Sequence, residues 1–171
     1  MSKVTEFELK NIISSYFLWK NLNENLVDFG SRKVNFPEAI SEGLICYAFG
    51  FNWHNKKRSN LPGDAMTDDG RLVEIKATSN YDSDLTSFSP NTSFDVLIFG
   101  RLDLFNDKLE VYDLNMNFSQ FSSLSINSSQ TVMDQQSEKR RPRLSLIKYI
   151  ESQGIKPITT IFIKDLVAGL N

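Results

Sequence analysis

The sequence predicts a mixed α/β fold, and three observations carry that prediction. Near the N-terminus, Leu9, Ile12, Ile13, Tyr16 and Trp19 recur at helical spacing. Residues 63–67 and 71–78 flank Asp68-Asp69-Gly70, and Asp-Gly is favoured in tight hairpin turns. Val96-Leu97-Ile98-Phe99 is a continuous apolar run of the kind found in a strand buried on both faces.

The remaining elements follow in chain order. Residues 5–20 form an amphipathic helix whose apolar stripe serves core or dimer packing. A second helix runs from Phe36 to about Phe49, with Asn35 and Glu38 as a capping box and Pro37 in the first turn. Ile40, Leu44, Tyr47 and Phe51 make its apolar stripe, and Glu38 and Glu42, four apart, share its polar face. Residues 52–60 are a polar, basic loop. After the hairpin, a strand covers 94–102, Asn106-Asp107 turns, and another strand covers 108–114. Residues 115–138, rich in Ser, Asn and Gln, read as a long surface excursion with one short helix around Phe118 to Leu124. Arg143 to Ile147 reads as a strand leading into a helix that stops at Gly154, a left-handed cap. Ile158 to Ile163 is the last strand. No internal repeat and no domain boundary is evident, so the 171 residues are expected to form a single domain.

Composition narrows the function. With 40% hydrophobic and 23% charged residues the chain is globular, and 13 Phe can supply much of its buried area. No apolar run approaches a membrane span, and the polar start from Met1 to Lys10 carries no signal peptide, so a cytoplasmic location is expected. Cys46 is the one cysteine and His54 the one histidine. That excludes an intramolecular disulfide, a zinc site built on Cys or on several His, and a paired-histidine nuclease. Cys46 reads as a core residue, and His54 as a surface or DNA-contact residue. The net charge of −2 speaks against a non-specific nucleic-acid coat. Positive charge is nevertheless gathered in two clusters, Lys56-Lys57-Arg58 and Lys139-Arg140-Arg141 with Arg143.

The chemistry concentrates in Gly63-Asp64 … Glu74-Ile75-Lys76. Nine residues and a hairpin turn separate Asp64 from Glu74, so folding brings the two carboxylates onto neighbouring strands. Alternation then sends Val73, Ile75 and Ala77 to one face and Leu72, Glu74, Lys76 and Thr78 to the other. Asp64, Glu74 and Lys76 thus meet. Two carboxylates and a backbone carbonyl, that of Ile75, are hard oxygen ligands suited to magnesium. Such a metal acidifies a bound water and neutralises charge on a phosphate, while a lysine orients the water or stabilises the phosphoryl oxygens. The plain alternative is a surface hairpin with an ordinary Glu-Lys pair. The preceding Gly-Asp, the interleaved apolar residues and a glutamate-bearing helix just upstream all favour catalysis.

Glu42 … Gly63-Asp64 … Glu74-Ile75-Lys76 resembles the PD-(D/E)xK nucleases, and among them the small type II restriction endonucleases. Pro62-Gly63-Asp64 departs from the strict Pro-Asp pair by one glycine. Glu42 looks like the additional helix-borne acid of many members. The continuation Ala77-Thr78-Ser79, the segment Thr86-Ser87-Phe88-Ser89-Pro90 and the stretch from Gln136 to Arg143 are also restriction-enzyme-like. The resemblance spans Glu42 to Arg143. It implies a central mixed sheet flanked by helices, Mg2+ dependence and double-strand DNA cleavage at a short site. It also implies a homodimer and a cognate DNA methyltransferase as genetic partner.

Further residues carry paired readings. Glu42 is a second metal ligand or a brace for Lys76, or else a solvated helix residue. Lys139, Arg140, Arg141 and Arg143 suit phosphates or guanine edges, or else form a solvated loop. Lys56, Lys57 and Arg58 are a weaker version of the same. Ser79, Asn80, Ser87 and Ser89 are placed at the groove or backbone of DNA, and loop polarity also explains them. Asp68 and Asp69 are turn formers. Two rival functions stay open: a structure-specific nuclease of the junction-resolving or repair kind, and a non-catalytic DNA-binding module.

Overall fold

The computed structural model describes residues 2–54 and 62–169. Its main sheet takes the order β1 (Ser2–Lys3), β2 (Asn52–Trp53), β3 (Ala65–Met66), β4 (Leu72–Thr78), β6 (Val96–Asp103), β7 (Lys108–Asp113), β9 (Thr159–Phe162). Only β4 and β6 run parallel, with Glu74 beside Leu97 and Lys76 beside Phe99. The other neighbours are antiparallel. This is the expected mixed sheet flanked by helices.

On one face lie α1 (Glu6–Asp28) and α2 (Glu38–Phe49). Leu9, Ile13, Tyr16 and Leu44 pack there against Val73, Ile75, Ile98 and Val111. The two helices approach closely at Gly43, where a Cβ would collide with Ile12. The α1 helix opens with a capping box between Thr5 and Glu8 and outlasts the predicted stripe by more than two turns. Its last turns are held by a polar residue that periodicity does not register: buried Asn23 accepts from Val34 N–H and donates to Val34 C=O.

The α2 helix starts differently from expectation. Pro37, extended at φ −66°, ψ 130°, is the N-cap, and no side chain caps it. The expected Asn35–Glu38 box is absent because a proline with fixed φ already orients the first turn.

The other face corrects the reading of residues 115–138. Helices α3 (Phe118–Ser122), α4 (Val132–Ser137) and α5 (Leu146–Gln153) cover it. Phe121 and Val132 are fully buried with Phe88, Leu97 and Phe99. The stretch carries the expected short helix as α3 and lends Met116, Phe121 and Val132 to this core, apolar residues too sparse to give a period, while most of its other side chains stay at the surface. The predicted strand at 143–147 shrinks to β8 (Arg143–Leu144), which pairs with β5 (Thr86–Ser87) in a separate two-stranded ribbon. Gly154, at φ 63°, ends α5 as predicted. After β9 the chain adds α6 (Ile163–Ala168), which the sequence reading did not contain. Among the described residues, no helix is long and apolar enough to cross a membrane.

Candidate active site

Backbone bonds fix Asp64 before its side chain acts. Its N–H donates to Val73 C=O at 2.9 Å, and its C=O accepts from His54 N–H at 2.9 Å. Gly63 makes this approach possible. It adopts φ +74°, and a Cβ there would stand 3.1 Å from the Val73 carbonyl. The glycine inside Pro62-Gly63-Asp64 therefore lets the aspartate reach β4.

From that position Asp64 Oδ2 accepts the Ile75 N–H at 2.8 Å. On β4, Val73 and Ile75 go into the core, while Glu74 and Lys76 project to the other side, as alternation requires. Lys76 Nζ lies 2.6 Å from Glu74 Oε1, 3.7 Å from Asp64 Oδ2 and 3.3 Å from the Ile75 carbonyl oxygen. The three oxygens singled out as a cation-binding set thus converge on one cationic atom. Lys76 also stands 5.7 Å from the centre of the Phe88 ring.

Burial shapes the electrostatics. It raises the Asp64 carboxyl above the usual range, against the pull of Lys76 and the Ile75 N–H. Burial and then Asp64 raise Glu74. For Lys76, burial works against the charge, but Asp64 and Glu74 outweigh it and hold the ammonium charged. Glu42, on α2, accepts a hydrogen bond from Trp53 Nε1 at 2.9 Å. Burial and the Asp64 charge push its carboxyl up to about 8. Glu42 is therefore a partly buried member of this carboxylate group, not a solvated helix residue. Among the described residues, no three His, Cys, Asp or Glu side chains gather tightly enough to hold a metal by themselves. The donor set around Lys76 is two carboxylates and a carbonyl.

A cleft of about 410 Å³ opens beside Lys76. The start of α2 (Glu38, Ser41), the end of β4 with Ser79 and Asn80, the ribbon residues Thr86 and Ser87, and Arg141 all line it. Candidates far apart in sequence come together here. The ribbon does this: Ser87 pairs with Arg143, and Phe88 N–H donates to Pro142 C=O at 2.9 Å. Arg143 is exposed on β8. Glu138 is the C-cap of α4, and Lys139 and Arg140 follow it, their N–H groups donating to the Gln136 and Gln135 carbonyls. Lys139 takes a positive φ of 59°, and Arg140 pairs with Glu138 at 3.1 Å. Lys56, Lys57 and Arg58 lie outside the described residues. Ser89 is partly buried, and its carbonyl accepts from Gln136 Nε2.

Three residues differ from the sequence reading. His54 is buried, with Nδ1 3.1 Å from the Pro62 carbonyl, so it is not a surface contact. Glu38, expected as a capping residue, lines the cleft with Lys76. Asp84 went unnoticed. Its carboxylate accepts from Thr86 and Ser145 hydroxyls and from the Leu146 and Ile147 N–H groups at the start of α5. It anchors the ribbon, and Ser145-Leu146 after a short strand was the available signal.

A mixed sheet with a hairpin aspartate beside Glu74-Ile75-Lys76 on its parallel pair defines a restriction-endonuclease-like core. The profile of the Bsp6I restriction endonuclease family matches residues 4–153. The type II restriction enzyme Bsp6I of Bacillus sp. (strain RFL6) is 40% identical over 161 residues, covering 93% of this chain and 90% of that protein. The chain belongs to the Bsp6I restriction endonuclease family, and it is a type II restriction endonuclease acting on DNA. No solved structure matches it.

Proposed function

We propose that this chain hydrolyses phosphodiester bonds in double-stranded DNA at a short recognition sequence, with magnesium held by Asp64, Glu74 and the Ile75 carbonyl. The observation that carries the reading is the convergence of those three oxygens on Lys76 Nζ. The set is hard, anionic and already organised around positive charge, which fits a small divalent cation. Bound there, the metal supplies an acidified water and neutralises phosphate charge.

The chain's own groups do the rest. Lys76, kept charged by Glu74 and Asp64, orients the water or stabilises the phosphoryl oxygens. Glu42, held by Trp53 Nε1, serves as a second metal ligand or as a brace for Lys76. Arg141, Ser79, Asn80 and Ser87 line the cleft as DNA contacts, and Arg143 on the ribbon is the favoured base reader. Lys139 and Arg140 contact the backbone, with Lys56, Lys57 and Arg58 as further candidates. The two cores share one sheet, which supports a single endonuclease domain. A homodimer reading a palindrome, a cytoplasmic location and a cognate DNA methyltransferase complete the proposal.

Incubation with plasmid and magnesium, followed by sequencing of the fragment ends, tests it. Ends sharing one short sequence are the expected result. Random ends, or intact plasmid carrying many sequence contexts, would overturn it.

A further inference from the structure

Helix α1 is apolar on two sides. Its inner face, with Leu9, Ile13 and Tyr16, is buried against the sheet. Its outer face carries Phe7, Leu18, Leu22 and the C-cap residue Phe29, exposed by 74, 71, 47 and 84%. At 3.6 residues per turn these four fall within about 60° of arc, along about 33 Å of helix. Between them lie small polar residues: Asn11, Ser14 and Asn25. No charged side chain interrupts the stripe. A solvated helix face does not need such a stripe, and contiguous exposed apolar surface marks an interaction site.

The spacing indicates what covers it. Leu18 lies midway along the stripe, eleven residues from both Phe7 and Phe29. Asn11 and Asn25 lie seven residues to either side of it. Phe7, Phe29, Asn11 and Asn25 are thus placed symmetrically about Leu18, while Leu22 falls opposite Ser14. When two such helices pair antiparallel, Phe7 meets Phe29 of the partner subunit and Leu18 meets itself. Exposed Lys10 and Asp28 lie on one flank of the stripe, about five turns apart. Antiparallel pairing brings Lys10 to within about 3 Å of axial rise of Asp28 of the partner subunit. A parallel pair would leave these charges at opposite ends.

We propose that the outer face of α1 is the surface on which a second copy of this chain docks, antiparallel, about a two-fold axis at Leu18. This deepens the homodimer reading above by assigning its surface. Self-complementary patches of this kind are what isologous two-fold interfaces require.

The test is made without DNA or divalent cation, so it stands or falls separately from nuclease activity. Light scattering is expected to give a dimer mass for the full chain. Leu18→Glu, checked by circular dichroism for retained fold, is expected to raise the dimer dissociation constant by at least ~30-fold. Leu18→Cys is expected to form a covalent dimer under mild oxidation. Phe7→Cys alone should not do so, yet should crosslink when mixed with Phe29→Cys. The native Cys46 is buried and does not compete. A monomeric wild type, an unchanged mass in Leu18→Glu, or Phe7→Cys crosslinking to itself as readily as Leu18→Cys would overturn the proposal.

Discussion

Lys76 Nζ stands 2.6 Å from Glu74 Oε1, two residues apart on the same face of β4. The same ammonium reaches Asp64 Oδ2 at 3.7 Å across the hairpin seam. A charged triad is thus assembled by strand alternation and one turn, in a place where burial raises both carboxyls.

Removing either acid separates chemistry from folding. Asp64→Ala or Glu74→Ala is expected to abolish plasmid cleavage while the circular dichroism spectrum stays native. Asp64→Ala also leaves the Ile75 N–H without its acceptor, at a cost of about 1–3 kcal/mol in chemical denaturation. Calcium is expected to support binding but not cutting, because its looser coordination positions the water poorly. Cleavage at the wild-type rate by either variant would end the assignment.

Lys76→Ala is expected to lower the cleavage rate by about 10²–10³-fold at constant fold. The variant also removes the charge that pulls the Asp64 and Glu74 carboxyls down, so both rise further. Its cleavage should therefore need a higher pH than the wild type, read as a shifted rising limb in a pH–rate profile.

The pH dependence of stability has a definite sign. Glu42 is raised from 4.5 to about 8 by burial and then by Asp64, and Asp64 and Glu74 shift in the same direction. A carboxyl raised on folding stabilises the protein fully below its unfolded value, and that stability is lost as pH rises through the folded one. Metal-free protein is expected to lose thermal stability between about pH 4.5 and 8. Magnesium, which requires ionised carboxylates, should raise Tm more at about pH 8.5 than at about pH 6. Glu42→Gln should flatten the metal-free loss and slow cleavage about 10–100-fold. Flat stability across this range in the wild type would contradict the assignment.

The ribbon and the basic segment divide recognition. Arg143→Ala is expected to lose about 1–3 kcal/mol of discrimination at one position of the DNA site. Lys139→Ala and Arg140→Ala should weaken all sequences alike and lower the salt slope by roughly one each. Asp84→Ala frees the ribbon from α5 and should loosen cognate binding by letting the ribbon shift. Duplex binding over a salt series, cognate against random, reads all of these outcomes. Wild-type binding by a combined Lys139, Arg140, Arg141 and Arg143 alanine variant would return the segment to a solvated loop.

Phe121 tests the second core. It is fully buried against Phe88 at 4.5 Å between ring centres. Phe121→Ala is expected to cost about 3–5 kcal/mol in urea unfolding, as in a packed interior. A loss below about 0.5 kcal/mol would fit the surface excursion that composition suggested.

The sequence by itself determined the parts governed by short-range rules. Alternation along 72–78 set Glu74 and Lys76 on one face, and Asp-Gly placed the turn that brings Asp64 to them. The spacing of Leu9 to Trp19 gave the first helix, and the left-handed cap at Gly154 gave the end of α5. Tertiary structure decided what depends on distant partners. Phe121 and Val132 become core only because Phe88, Leu97 and Phe99 meet them from other elements. Arg141 and Ser87 reach one cleft only because β5 pairs with β8 across 56 residues of chain. The Glu42 carboxyl is raised only because the surrounding fold takes it out of water and sets it near Asp64, against the Trp53 N–H bond that favours its ionised form. Periodicity reports the face a residue presents, but burial, long-range pairing and charge coupling exist only once the chain has closed on itself.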